Sequence, residues 1–281
     1  MPAFTLDEVR EATGAQLYKM EHEEFTDIVT DTRKITPGVL FLAFKGERFN
    51  GEDFVRDAVE KGANGVMVST SCPKEQLAGL KTTVLIAGDT LTAYQQLAHA
   101  WRMRFSLPVV AITGSNGKTT TKDLTAAMLS ARGPVLKTQA NFNNEIGLPL
   151  TLLGLRKKHT AAVVEIGMRG FHQIEALAPI ADPSIGIVTN VGETHMELLG
   201  SIENIAKAKS EMVEAIPAGG TVVLNADNPY VAAMRSQAKE GVRVLTFGIE
   251  KEADVRAKEE TIETIDGHET RFKIEWKGRE Q

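Results

Sequence analysis

Cysteine is almost missing from this chain. A single thiol, Cys72, stands among 281 residues, so no disulfide framework can form and the sequence fits a reducing compartment. Cys72 itself reads as an ordinary buried or half-buried thiol. Long apolar runs are missing too, since none approaches the roughly 18 residues that a bilayer-spanning helix needs. The opening MPAFTLDEVREATG has no basic segment followed by an apolar core, so it does not read as a secretory signal. Basic charge is not in excess. With 32 Lys and Arg against 37 Asp and Glu, the net charge is −5, which argues against a general nucleic-acid binder. There is no internal repeat and no low-complexity tract. The expectation from these absences is a cytoplasmic chain without a membrane span.

What is present is the composition of a globular protein, with 42% hydrophobic and 25% charged residues. The length exceeds one ordinary core and predicts two domains. In the first hundred residues, VLFLAF (39–44), GVMVS (65–69) and TTVLIAG (82–88) read as strands, and EDFVRDAVEKG (52–62) as an amphipathic helix. DTLTAYQQLAHAWRMRF (89–105) reads as a helix capped by Asp89, and the boundary is expected within or just after it. From Leu107 the rhythm becomes regular. PVVAIT (108–113), AAVVEIG (161–167), SIGIVTN (184–190), TVVLNAD (221–227) and RVLTFG (243–248) are strands, with helices between them at 118–131, 201–215 and 228–239. β-Branched runs alternating with helices predict an α/β fold with a mostly parallel sheet covered on both faces. The expected domains are therefore 1–105, with 89–105 as a linker helix, and 106–281. The last stretch, HETRFKIEWKGREQ (268–281), alternates like a strand; it fits either a frayed hairpin or a domain continuing past the given sequence.

Between the strand at 108–113 and its helix lies GSNGKTT (114–120). The common phosphate loop is G-x-x-x-x-G-K-[ST], but the place of its first glycine is held by Ile112, and the glycine comes at 114 instead. A buried strand, small turn residues and a following helix are what a phosphate cradle needs, because backbone N–H groups and the helix N-terminus must converge on phosphate oxygens. Gly114 and Gly117 allow close approach, Lys118 can reach the outer phosphates, and Thr119 can bind Mg2+. A tight turn alone is the competing reading. Two carboxyl ends of strands offer further ligands: Glu165 after AAVVEIG and His195 within TNVGETHMELLG. Each has a plain alternative, a solvent-exposed carboxylate and a structural histidine. Lys209, in ENIAKAKSE, reads by spacing as part of a solvated helix face, with Glu203, Lys207 and Glu211 placed for ion pairs.

With these residues together, the chain closely resembles the ATP-dependent Mur ligases of peptidoglycan synthesis. The family loop T-G-[ST]-N-G-K-T-[ST] is matched at Thr113–Thr120, with Gly114, Ser115, Asn116, Gly117, Lys118, Thr119 and Thr120 as its ATP contacts. The resemblance implies that Thr119, Glu165 and His195 bind Mg2+. It also implies that Lys209 is carbamoylated, which turns a cation into a further metal-binding carboxylate and reverses the solvated-face reading. Asn225, in VLNADNP, matches the asparagine that binds adenine.

Within the family, TQANFNNEIGLPLTLL (138–153) is similar to the segment of the member that joins D-alanyl-D-alanine to UDP-N-acetylmuramoyl-tripeptide. Asn141 and Asn144 are the candidate contacts to the muramoyl peptide. VTDTRKITPG resembles a uridine-nucleotide-binding segment, which would bring Thr30, Asp31, Thr32 and Arg33 near the UDP group. For these residues the competing reading is loop chemistry, since Asp and Thr favour turns and Asn caps helices. The resemblance thus implies an N-terminal UDP-binding domain and a central ATP-binding domain, acting on small-molecule substrates as a monomer. The family's C-terminal domain, with its D-Y-N-A-N-P segment, has no match here, so a truncated form is expected. Two rivals remain: another Mur ligase adding the third residue, and a module that binds ATP or a UDP-sugar without ligating.

Overall fold

Thr5 and Glu8 start the first helix, Leu6–Thr13, by capping each other: the Glu8 N–H donates to Thr5 Oγ1, and Glu8 Oε2 accepts the Thr5 N–H at 2.8 Å. The computed structural model describes residues 2–46, 50–194, 196–258, 263–265, 269–276 and 279–280. The chain forms two units, one of residues 1–106 with 145–157, the other of 107–144 with 158–281.

The first unit is built on a five-stranded sheet in the order Gln16–Lys19, Thr83–Ala87, Gly65–Ser69, Leu40–Leu42, Ile28–Val29. Its edge strand Gln16–Lys19 is antiparallel and the rest are parallel. Phe41, Val66, Val68 and Val84 belong to its core. The helix expected at 52–62 opens as a 3-10 turn, Gly51–Phe54, and continues as Val55–Glu60. Asp89 caps the helix Thr90–Met103, accepting the Thr92 N–H at 2.7 Å. Ala93, Tyr94, Leu97, Ala98 and Trp101 form its buried stripe.

The second domain is expected from 106 onward, whereas contacts group residues 145–157 with the first unit. The helix Gly147–Leu153 is apolar, with Leu148 and Leu152 fully buried, and it packs on Thr90–Met103. The Trp101 indole N–H donates to Leu155 O at 3.2 Å, and Gln95 Nε2 to Glu145 O at 3.1 Å.

The second unit holds a nine-stranded sheet. Its order is Val135–Lys137, Ala161–Glu165, Val109–Thr113, Ile185–Val188, Thr221–Asn225, Arg243–Gly248, Val255–Ala257, Ile274–Trp276, Arg279–Glu280. All neighbours are parallel up to Val255–Ala257, and the last two strands are antiparallel. It is an α/β fold with a mainly parallel sheet flanked by helices. Lys118–Leu129 covers one face, where Val110, Ile112, Val163 and Ala126 form a core. Gln173–Ala181 and Ile202–Ala215 pack on the strands from elsewhere in the unit. Gly186 lets the second of these approach closely, since a Cβ there would meet Ile216 Cγ1 at 2.9 Å and Met212 Cγ at 3.3 Å. The helix expected over 228–239 is shorter, Pro229–Ala233 followed by a 3-10 turn Met234–Gln237.

From Val109–Thr113 the chain first adds strands on one side, at 135–137 and 161–165, then on the other, beginning at 185–188. The winding reverses between Val109–Thr113 and Ile185–Val188, and ligands of open α/β sheets bind outside the carboxyl ends at such a switch point.

Candidate active site

The loop after Val109–Thr113 sits at that switch point. Gly114 and Gly117 have φ of +149° and +79°, and a Cβ on Gly114 would lie 1.9 Å from Thr189 Oγ1. Only glycine fits at 114. The neighbouring strand end holds the loop in shape. The Ser115 N–H donates to Asn190 O at 3.0 Å, the Asn116 N–H donates to Asn190 Oδ1 at 2.8 Å, and Thr189 Oγ1 donates to Asn116 O at 2.6 Å. Ser115 Oγ donates to Gly192 O and accepts from the Gly192 N–H and the Thr194 hydroxyl. Gly117 leads directly into the 12-residue helix Lys118–Leu129, whose first N–H groups give the loop its positive potential. Lys118 Nζ is held over the loop by Gly114 O at 2.8 Å and Ser115 O at 3.3 Å. Thr120 is exposed on the first turn.

Glu165 ends its strand only 3% exposed, so the solvent-exposed reading of this carboxylate is corrected. Thr119 Oγ1 donates to Glu165 Oε2 at 3.0 Å, and Asn143 Nδ2 donates to Oε1 at 2.7 Å. Thr138 Oγ1 accepts the Glu165 N–H at 3.0 Å. Asn143 is itself fixed, since its N–H donates to Asn141 O and its carbonyl accepts the Gly167 N–H. In the NFNNEIG segment it is therefore Asn143 that reaches the carboxylate. Asn141 contributes a backbone carbonyl, and both Asn141 and Asn144 are exposed.

Lys209 also departs from its reading by spacing. It is 2% exposed and lies on the buried side of its helix with Ala208, Met212 and Val213, while Glu203 and Lys207 face solvent. The amine is pushed down to about 7, by burial first and then by the Lys118 ammonium. Among the described residues no hydrogen bond or ion pair holds it. Glu211 forms no ion pair with Lys207 among the described residues. Its carboxylate accepts the backbone N–H groups of His172 at 2.7 Å and Glu175 at 3.0 Å.

His195 lies outside the described residues. Among the described residues no three His, Cys, Asp or Glu side chains converge as a metal cluster. Thr119 and Glu165 nevertheless bring two hard oxygen donors to one point, which is the donor chemistry that Mg2+ accepts. Asn225 ends the strand beyond Ile185–Val188; its Nδ2 donates to Thr189 O at 2.9 Å and its Oδ1 accepts the Asp227 N–H.

Thr30–Arg33 belong to the first unit. Asp31 caps the 3-10 turn Thr32–Lys34 and takes Arg33 Nε at 2.9 Å and Nη2 at 2.7 Å. These hydrogen bonds from Arg33 hold the Asp31 carboxyl at about 2. Thr30 and Thr32 flank it, and the Arg33 side chain is exposed.

Residues 112–280 match the Mur ligase middle domain, and residues 24–101 match the model described as the Mur ligase family, catalytic domain. The chain belongs to the Mur ligase family. Mur ligases similar to it include the UDP-N-acetylmuramoyl-tripeptide–D-alanyl-D-alanine ligase of Synechocystis, 46% identical over 82% of this chain and 50% of that protein. The ligase of the same name from Bacillus subtilis is 38% identical over 96% and 59%. Among solved Mur ligases, MurF from Acinetobacter baumannii superposes with a TM-score of 0.90 at 31% identity, over 99% of this chain and 60% of that one. MurF from Thermotoga maritima in complex with ADP gives 0.80 at 28%, over 91% and 57%. The chain spans between half and three fifths of the length of these relatives.

Thr138, Asn143, Thr189 and Asn190 are not singled out by the sequence, and Glu211 is read there only as an ion-pairing residue of a solvated face. The TN that closes SIGIVTN was the available signal for two of them, because it ends a strand beside the loop.

Proposed function

We propose that this chain carries the UDP-substrate-binding and ATP-binding parts of an ATP-dependent ligase that joins D-alanyl-D-alanine to UDP-N-acetylmuramoyl-tripeptide. The observation that carries the reading is the meeting of Thr119 and Glu165 at 3.0 Å beside Lys118, on a rigid glycine loop at the sheet's switch point. That arrangement suits a nucleoside triphosphate with its metal better than a simple turn.

In this reading the loop N–H groups of residues 114–120 and the helix N-terminus hold the phosphates, and Lys118 exchanges its loop carbonyls for γ-phosphate oxygens. The terminal carboxylate of the tripeptide attacks the γ-phosphorus, and the bond to ADP breaks, giving an acyl phosphate. The amine of D-alanyl-D-alanine then attacks the acyl carbon, phosphate leaves, and the nitrogen loses a proton. Lys118 stabilises the charge that gathers on the transferring group. Mg2+ would neutralise phosphate charge; Thr119 and Glu165 would hold one ion, and carbamoylated Lys209 with His195 a second. Lys209 supports this assignment because a lysine depressed to about 7 is largely neutral near physiological pH, as attack on CO2 requires. Asn143 aims the Glu165 carboxylate. Asn225 would lie by the adenine, Thr30–Arg33 by the UDP group, and Asn141 and Asn144 by the muramoyl peptide. Soluble nucleotide precursors suit a cytoplasmic monomer, and among the described residues no helix is long and apolar enough to cross a membrane.

The test is phosphate release by the protein at its full genomic length, with and without each substrate. Release that requires both UDP-N-acetylmuramoyl-tripeptide and D-alanyl-D-alanine is expected, and Lys118→Ala should slow it by about three orders of magnitude or more. Release that needs neither acceptor, or that proceeds only when a third residue is added to the dipeptide precursor, overturns the proposal. So does near-normal turnover in Lys118→Ala.

A further inference from the structure

Thr113 ends the strand that feeds the phosphate loop, and it is fully buried. Among the described residues its fully buried hydroxyl has no hydrogen-bond partner. Its backbone is satisfied, since the carbonyl accepts the Thr189 N–H at 3.0 Å. A buried hydroxyl left unpaired is costly, and such groups usually have a reason.

Alternate residues of a strand share a face. Val110 and Ile112 lie in the core beneath Lys118–Leu129, so Ala111 and Thr113 point to the opposite face. Ala111 pairs with Gly186 and Thr113 with Val188. A Cβ on Gly186 would meet Met212 and Ile216, so the helix Ile202–Ala215 covers this face. As the crossover between two parallel strands, that helix runs antiparallel to them. Lys209 precedes Met212 by three residues, on the same side of the helix. It therefore sits about 4.5 Å closer to the loop, at the level of Thr113 and Val188. The charge of Lys118 reaches Lys209, and Lys118 Nζ rests on the carbonyl of Gly114, the residue after Thr113. The register and the helix position thus place the Lys209 amine and the Thr113 hydroxyl on one face of the sheet, next to the loop. They do not bond each other, and among the described residues neither has another partner.

We propose that Thr113 is a positioning residue for carbamoylated Lys209, its hydroxyl donating to one carbamate oxygen. The proposal rests on the reading of Lys209 given above. The neutral amine's lone pair attacks the carbon of CO2, a C–N bond forms, one C=O electron pair moves to oxygen, and the nitrogen proton leaves to solvent. The product is an anion one carboxyl group longer than the amine, and it can bridge a gap that the amine does not close. The anion also attracts the Lys118 ammonium, and the Thr113 hydroxyl then makes a charge-assisted hydrogen bond. The same bond fixes the rotation of the carbamate and so the direction of its second oxygen.

The test uses the 281-residue chain in buffers of increasing 13C-bicarbonate, reading the carbamate carbon by NMR. The wild-type signal should vanish in Lys209→Ala. Thr113→Val, which keeps the shape and removes the donor, should need about tenfold more CO2 for half occupancy, as expected for one hydrogen bond to a charged group. Thr113→Ser should stay within about twofold of wild type by keeping that donor. Equal occupancy in Thr113→Val and wild type overturns the proposal while leaving the Lys209 reading intact, and would mean that water satisfies the hydroxyl. A wild-type chain with no signal dependent on Lys209 overturns both. If thermal unfolding shows Thr113→Val to be misfolded, Thr113→Cys, a weak donor of similar size, replaces it with the same two outcomes.

Discussion

Lys209 places a basic group where water hardly reaches, and the consequence is a pH-dependent cost. Its folded value of about 7 lies below the ordinary 10.5. Below pH 7 the amine is protonated both folded and unfolded, and the full burial penalty applies. As pH rises from 7 to 10.5 the unfolded chain holds a proton that the folded chain lacks, so stability increases. Lys209→Met should therefore stabilise the chain by on the order of a few kcal/mol at pH 6 in CO2-free buffer, with the gain fading toward pH 10.5. Thermal melts across that range check it, and a gain independent of pH would rule out the ionisation as its source. Asn143 matters for the opposite reason. Removing its amide leaves Glu165 Oε1 buried without its donor, so Asn143→Ala should cost about 1–3 kcal/mol and weaken Mg·ATP binding measured by calorimetry. Glu165 was legible as a candidate because it ends an apolar strand. Asn143 was not. Asn141, Asn143 and Asn144 have the same loop chemistry, and only the folded backbone determines which amide faces the carboxylate.

Among the elements, the helix Gln173–Ala181 shows what a sequence cannot advertise. Its N-cap residue, His172, is left-handed at φ +64° and gives no side-chain cap. The cap comes from Glu211, two residues beyond Lys209 on another helix. One carboxylate thereby ties the helix of Lys209 to the connection that follows Glu165. Glu211→Ala should cost about 1–2 kcal/mol, the value of a lost cap, read as a lower urea midpoint with an unchanged slope. A midpoint within error of wild type would show that the cap carries no weight. The same contrast explains which elements were readable. Val109–Thr113 and Ala161–Glu165 stand out as apolar runs buried on both faces, and the later parallel strands keep the β-branched rhythm with partial burial. Thr90–Met103 and Ile202–Ala215 carry their own caps, Asp89 and Ser201. Gly147–Leu153 has no side-chain cap and no polar face to give a period, so nothing local marks it as a helix. Leu6–Thr13 carries a capping box, Thr5 with Glu8, that is present in the letters.

At the scale of the whole molecule, the first unit is assembled from two separate stretches of chain, 1–106 and 145–157. Residues 1–106 alone would uncover the stripe of Thr90–Met103 on which Gly147–Leu153 packs. The fragment should expose apolar surface, bind a hydrophobic dye and melt without cooperativity. Adding a 145–157 peptide should restore a sharp transition, whereas a sharp melt from 1–106 by itself would show the second stretch to be dispensable. The sequence made the strand rhythm change at Leu107 plain, and that change is where the first crossing occurs. The return at Glu145 was hidden because a short apolar helix suits either core equally well by composition. The return also bears on inheritance. A gene crossover at codon 106 would move about nine tenths of a folding unit and strand its last helix in the other parent, so chimaeras cut there should fail unless both parents carry compatible helices. Natural reshuffling of this half of the molecule has to exchange two stretches of DNA at once, and that ties together the ancestry of its two halves.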